Sequence, residues 1–134
     1  MKYAKKSHII ICDDVREEKG NKISLMGLYQ KNIIVSVLPT ILKQLFVIVT
    51  LVDVVIPFSK LTMKVRLPGV KKPLILVNVA KELKKGSDAT LIFGFAPLKI
   101  TEIGIAEFAF YFDDTKRANF IHKIEIQKNE NLIL

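Results

Sequence analysis

Apolar and polar residues alternate along much of this chain, and the period of the alternation is two. The clearest case is the segment from Leu61 to Leu67, in which every second residue is apolar and the residues between are polar. Successive side chains of a β-strand point to opposite faces, so this segment is predicted to be a strand with one buried and one solvated face. Pro68 and Gly69 follow it and predict a turn.

Similar segments recur along the chain, separated by short polar stretches that contain glycine, proline or asparagine, and none shows a long 3.6-residue period. The predicted strands cover residues 7–13, 22–29, 33–37, 45–56, 61–67, 74–80, 90–96, 101–112 and 120–127. A short helical turn is an alternative at residues 40–44 or 79–84. The spacing predicts one all-β domain over residues 1–134, an antiparallel two-sheet β-sandwich of about eight strands, immunoglobulin-like or C2-like. A barrel has the same periodicity, but polar outer faces favour the sandwich.

The apolar content of the chain is high. Half of the residues are hydrophobic, and the mean hydropathy is +0.31. Either the core is unusually apolar, or a partner chain covers part of an apolar surface. Because a sandwich of this size has a limited interior, we expect the second arrangement, and therefore a homo-oligomer or another protein partner.

Membrane insertion and secretion are not expected. The longest apolar run, Leu45–Phe58, has fourteen residues and contains Asp53 and Pro57, whereas a spanning helix needs about 18 or more apolar residues. The apolar stretch after the basic N-terminus is too short for a signal peptide. The single cysteine, Cys12, is predicted to be a small core residue and excludes an intramolecular disulfide. We expect a cytoplasmic protein that is not integral to a membrane.

The formal net charge is +8, and lysine provides 18 of the 21 basic residues. Nucleic-acid binders favour arginine for forked contacts to phosphate and guanine, whereas these lysines are scattered. A basic patch would form only if the lysines at 81, 84 and 85 shared a rim with Lys71 and Lys72. We therefore expect solvated loops, with no nucleic-acid partner.

Two pairs of adjacent aspartates at predicted strand ends are the only candidates for a metal site: Asp13, Asp14, Asp113 and Asp114. Loop carboxylates at one rim of a sandwich can bind Ca²⁺, which takes six to eight oxygen ligands. Adjacent strand residues point to opposite faces, and aspartates at strand ends also form Asx-turns without any metal. Turn hydrogen bonds are therefore favoured over metal binding.

No residue pattern indicates catalysis. His8 and His122 lack the spacing of zinc ligands, and His122 shares the parity of apolar neighbours, which favours a structural role. No serine lies in a nucleophile elbow, and no glycine-rich phosphate loop is present. We expect no catalytic residue, no cofactor and no enzymatic activity.

The first half of the chain resembles a family of small uncharacterised bacterial proteins, a domain of unknown function. Three stretches between residues 8 and 52 carry the resemblance: Cys12-Asp13-Asp14-Val15-Arg16, Lys22-Ile23-Ser24-Leu25-Met26-Gly27-Leu28-Tyr29, and Pro39-Thr40 leading to Leu42, Gln44 and Leu45. The family's Gly-Lys hairpin has one residue inserted here, as Gly20-Asn21-Lys22. The resemblance implies a β-sandwich and no activity.

Three hypotheses of function follow, and the function itself stays unknown. The leading one is a non-catalytic binding or assembly module that acts through sheet faces or edge strands. The second is a Ca²⁺ or anionic-lipid site at a loop rim, in the manner of C2-like sandwiches, which requires the two aspartate pairs to converge. The third is an enzyme of unrecognised type, which requires a concave pocket with at least two convergent titratable groups.

Overall fold

The structure is a computed structural model that describes residues 2–79 and 83–131, and these residues form eleven β-strands and no helix. The all-β prediction is confirmed. The strands are β1 (Ala4–Glu18), β2 (Lys22–Tyr29), β3 (Asn32–Val35), β4 (Thr40–Leu42), β5 (Leu45–Val54), β6 (Lys60–Arg66), β7 (Leu74–Val79), β8 (Ala89–Phe95), β9 (Leu98–Ile100), β10 (Gly104–Phe112) and β11 (Phe120–Lys128). In the described ranges, no helix is long and apolar enough to cross a membrane.

Two sheets form a β-sandwich, as predicted. The first sheet has the strand order β2-β1-β5-β8, and the second has the order β3-β11-β10-β6-β7. Strands β4 and β9 form a separate two-stranded sheet. We call the end of the sandwich where β5 begins at Leu45 the upper end, and the end where β5 finishes at Val54 the lower end.

The core consists of the inward-facing residues of both sheets. In β5, residues 45, 47, 49 and 51 are all fully buried, and in β10 the alternate residues Ala106, Phe108, Phe110 and Phe112 are fully buried as well. Phenylalanine rings connect the layers, since Phe93 of one sheet meets Phe110 of the other edge to face, with 6.1 Å between ring centroids. Aromatic pairs of this kind add to the stability gained from burial alone.

Several details differ from the sequence-based expectation. The described part of the chain has more strands than the nine ranges predicted, because the two three-residue strands β4 and β9 were not predicted. The segment at residues 40–44 contains strand β4 instead of a helical turn, since β4 pairs with β9. Residues 80–82 of the other candidate turn lie outside the described residues. The pair β3–β11 is parallel, whereas every other described pair is antiparallel.

Strand β1 is longer than predicted and extends past the upper end of its sheet. Its first part pairs with β5 as far as Cys12, whereas the residues from Asp14 to Glu18 pair only with β2. The two strands therefore form a hairpin arm that projects beyond the sandwich.

Candidate interaction edge

The two aspartate pairs lie at opposite ends of the sandwich. Asp13 follows Cys12, which pairs with Phe46 at the start of β5. Asp113 follows Phe112, whose ring stacks on Tyr3 with 4.3 Å between centroids. Asp13 comes ten positions after Tyr3 along an extended chain, which corresponds to roughly 30 Å at about 3.3 Å per residue.

The convergence that the calcium or lipid hypothesis requires is therefore not met. Within residues 2–79 and 83–131, no group of three or more His, Cys, Asp or Glu side chains is placed to hold a metal ion. Each aspartate pair instead has a local set of hydrogen-bond partners.

Asp13 and Asp14 hold the base of the hairpin arm. The Tyr29 hydroxyl donates a hydrogen bond of 2.5 Å to Asp13. The amide of Gln44 and the guanidinium of Arg16 donate to opposite oxygens of Asp14, at 3.0 and 3.1 Å. Burial, the hydrogen bond to Asp13 and the negative charge of Asp13 together raise the pKa of Tyr29. Asp14 and Arg16 thus also form an ion pair.

Asp113 organises the turn at the lower end. Its Oδ1 accepts hydrogen bonds from the Ser59 N–H at 2.9 Å, the Ser59 hydroxyl at 2.9 Å and the Lys60 N–H at 3.2 Å. Burial raises the pKa of Asp113, but the hydrogen bonds from Ser59 and Lys60 and the charge of Lys60 outweigh it, so this pKa is lowered. Asp114 forms an ion pair with Lys60 at 2.7 Å.

A shallow depression of about 250 Å³ lies beside this turn and is lined by Lys60, Lys64, Asp113 and Asp114, among others. It therefore meets the condition that the enzyme hypothesis requires, a concave pocket with at least two convergent titratable groups. Each of these four side chains, however, has a partner in the structure. The partners of Lys60, Asp113 and Asp114 are those given above, and the Lys64 ammonium lies 4.7 Å from the centroid of the Tyr111 ring. The hypothesis of an enzyme stays an untested prediction.

The lysine clusters are separated along β7. Lys71 and Lys72 precede the start of β7 at the upper end, whereas Lys84 and Lys85 belong to a loop whose Gly86 N–H bonds to Val54 at the lower end. Six residues of strand β7, or about 20 Å, separate the two clusters. These four lysines therefore form no shared basic rim, and Lys81, the fifth lysine of that prediction, lies outside the described residues.

Cys12 and His122 both lie at least partly in the interior. Cys12 is fully buried, and burial raises the pKa of its thiol. A raised pKa lowers the fraction of reactive thiolate at neutral pH. His122 pairs with the buried Phe108 across β10 and β11, and burial lowers the pKa of its imidazole.

Four strands lie at the edges of the two main sheets, and β7 is the least protected of them. Strand β3 has only four residues, β2 contains Gly27 with a positive φ, and β8 contains Gly94. Strand β7, in contrast, reads Leu-Ile-Leu-Val-Asn-Val, without charge, proline or glycine. Natural proteins normally protect edge strands with charges, prolines or bulges, because an unpaired edge can bind another strand.

The outward-facing side chains of β7 are apolar and exposed. Ile75, Val77 and Val79 are 57%, 55% and 67% exposed, and they pair with the polar residues Lys64, Thr62 and Lys60 of β6. On the inner face, the Asn78 amide donates a hydrogen bond of 2.9 Å to the Ile92 carbonyl of β8 and links the two sheets. We call the strand Leu74–Val79 the β7 edge.

An apolar pocket of about 290 Å³ lies at the upper end of the β7 edge. Val70 and Leu74 form its β7 side, and Pro97, Leu98 and Thr101 form the facing wall. Leu74 faces inward because it pairs with the buried Val65 of β6. Leu74 therefore lines the pocket from the inner face of β7.

Sequence reasoning predicted the strand at residues 74–80 but not its place at a sheet edge. The available signal was an apolar run whose two faces are both hydrophobic, a pattern shared with central strands. The pocket was missed because it depends on β9, which has only three residues.

Comparison with known proteins gives a family but no activity. No curated protein matches the chain. A family of unknown function, DUF6941, matches residues 7–125, which is a longer span than the resemblance over residues 8–52 had indicated. The expected membership of a domain of unknown function is thereby confirmed. The chain belongs to the family of unknown function DUF6941.

Proposed function

We propose that the protein is a non-catalytic binding module whose β7 edge takes an extended segment of another polypeptide. The observation that carries this proposal is an uncharged edge strand with Ile75, Val77 and Val79 more than half exposed. Backbone hydrogen bonds give affinity to such strand addition, and the alternating side chains give specificity. The partners of Lys60, Lys64, Asp113 and Asp114 in the depression beside Asp113 support the non-catalytic part of the proposal.

A second copy of the chain is the first candidate to supply the segment. Antiparallel pairing of two β7 edges about Val77 places Ile75 of one copy opposite Val79 of the other. No charge lies in either strand, so like charges do not face each other across the new ladder. The cations that pair with the outward-facing residues of β7, Lys60 and Lys64, lie one strand further back on each side. Across three strand spacings of about 4.8 Å their repulsion is largely screened at physiological salt.

Sedimentation velocity over a concentration series tests this homo-oligomer. We expect wild-type protein to associate, and Val77→Lys to remain a monomer with an unchanged circular dichroism spectrum. Ile121→Lys is the matched control, because Ile121 is 50% exposed on the same sheet but lies in β11, away from the β7 edge. Association lost equally in both variants, or absent from the wild type at every concentration, overturns self-association through β7.

Amide hydrogen exchange tests the edge itself. We expect amides of β7 to exchange faster in dilute protein than in concentrated protein, because a partner strand protects them when it binds. Strands β5 and β10 supply the internal reference, since both lie between two neighbours. Concentration-dependent protection at another edge, with β7 unaffected, would contradict the assignment to β7.

A cytoplasmic location completes the proposal. The buried, unpaired thiol of Cys12 supports a reducing compartment, in which disulfides are rare.

A further inference from the structure

The pocket beside Leu74 and the β7 edge form one continuous surface. A segment added antiparallel to β7 runs from Val79 toward Leu74, so its carboxyl end reaches the upper end of the strand. An inward side chain at that end points into the space between Leu74 and Pro97, which is the apolar pocket. This pocket of about 290 Å³ is at the lower limit for drug-sized ligands, about 300–1,000 Å³, and its mostly apolar lining can take an aliphatic side chain.

Positive charge surrounds this end of the β7 edge. Lys71 and Lys72 are exposed and directly precede Pro73 and the first residue of β7. Lys99 contributes to the pocket wall. None of the three lysines forms an ion pair with any described residue.

One carboxylate lies near these lysines. The Glu102 side chain packs against Gly69 on the same loop, close enough that a Cβ at Gly69 would overlap it. Residues 67–74 and 97–102, the two segments that line the pocket, contain three lysines and one glutamate and therefore carry a net positive charge. That charge complements a carboxylate at the end of a bound segment.

We propose that the β7 edge binds the carboxyl terminus of a peptide whose last residue is aliphatic. The last side chain fills the pocket beside Leu74, and the terminal carboxylate lies by Lys71 and Lys72. This inference rests on the proposed function, since it requires a strand to be added to β7. It adds the direction of the bound strand and the chemistry of its end.

Fluorescence anisotropy with labelled hexapeptides tests the inference on dilute, monomeric protein. The probe alternates threonine and valine, ends in leucine and has a free carboxylate. Two further probes replace the carboxylate by an amide or the final leucine by aspartate. We expect each change to weaken binding by about tenfold or more. The amide removes the charge-assisted contact with lysine, and the aspartate places a charged side chain in the apolar pocket.

Matched charge variants locate the contact. The double substitution Lys71→Glu and Lys72→Glu should weaken binding of the free-acid probe by about tenfold or more and remove the preference over the amide. The double substitution Lys84→Glu and Lys85→Glu makes the same change of charge at the lower end and should leave both unchanged. Equal effects of the two double variants would mean attraction by net charge alone and would overturn the inference.

The remaining outcomes separate this inference from the proposed function. Equal affinity for the free acid and the amide, with both lost in Val77→Lys, overturns recognition of the carboxyl terminus and leaves strand addition standing. No peptide binding together with no self-association overturns both. Binding of octanoate without binding of any peptide assigns the pocket to a free aliphatic acid and also overturns the inference.

Discussion

The carboxyl group of Asp13 lies over Gly27 of the neighbouring strand, in the space that a Cβ at Gly27 would occupy. Gly27 has a φ of +66°, a left-handed conformation that favours glycine. The Tyr29 hydroxyl holds the same carboxyl group by a hydrogen bond of 2.5 Å. The positive φ of Gly27 thus gives Asp13 room to reach Tyr29 at the base of the hairpin arm.

Gly27→Ala is therefore expected to destabilise the protein by about 2–3 kcal/mol. About 1–2 kcal/mol comes from the left-handed backbone and about 1 kcal/mol from the displaced hydrogen bond of Asp13. Gly20→Ala is the matched control, because Gly20 has a φ of +86° but no atom within 4 Å of the position that its Cβ would occupy. It should lose only the backbone part, about 1–2 kcal/mol. Urea denaturation measures both, and equal losses would contradict a role for Asp13.

Tyr29 should ionise at higher pH than an ordinary tyrosine. Burial and the contact with Asp13 raise its pKa. Burial disfavours the charged phenolate, and the negative charge of the Asp13 carboxylate repels it. Alkaline titration of the phenolate absorbance should show a late component that disappears in Tyr29→Phe. Gln44→Ala, which removes a partner of Asp14 and not of Asp13, should retain that component. A titration curve identical in wild type and Tyr29→Phe, apart from amplitude, would refute the assignment.

The strands could largely be predicted from periodicity, because a two-residue alternation determines both the element and its buried face. The segment from Leu61 to Leu67 shows this, since Leu61, Met63 and Val65 are all buried in β6. Strand order could not be predicted, because it depends on pairing between distant segments. The β7 edge illustrates the difference, as its apolar sequence suits a buried strand equally well.

The aspartate pairs show why a candidate site is harder to predict than a strand. Asp13-Asp14 and Asp113-Asp114 have the same local pattern, yet β1 carries the first pair to the upper end while Asp113 lies at the lower end beside Ser59. The partners of Asp113, Ser59 and Lys60, lie more than fifty positions away in the chain, at the start of β6. Local sequence contains no information about which residues such a fold brings together.

Asp113 should contribute stability that depends on its acceptor oxygen and on pH. Asp113→Ala removes the acceptor of three hydrogen bonds and should cost about 1–3 kcal/mol, since two backbone N–H groups lose their partner. Asp113→Asn retains an acceptor oxygen and tolerates the φ of +51°, so it should cost less. Because folding lowers this pKa, the stabilisation by the charge is present above the unfolded pKa and is lost as pH falls through the folded pKa.

Urea denaturation of wild type, Asp113→Ala and Asp113→Asn at neutral and acid pH measures these effects. The advantage of wild type over Asp113→Asn should shrink as the carboxylate is protonated. A difference that stays constant down to acid pH would show that the charge of Asp113 does not contribute.

His122 should make the protein less stable as pH falls below neutrality. Burial lowers the pKa of its imidazole in the folded state, so protons bind preferentially to the unfolded chain, where the pKa is about 6.5. The stabilisation is thus complete above the unfolded pKa and is lost as pH falls from there through the folded pKa. His122→Gln cannot take up this proton, so its free energy of unfolding should fall less than that of wild type between about pH 7.5 and about pH 5. Urea denaturation at the two pH values gives the change in the free energy of unfolding for each protein. The carboxylates are the same in both proteins, so their contribution cancels when the two changes are subtracted. If the two curves fall in parallel, the half-buried imidazole of His122 is not the group that titrates.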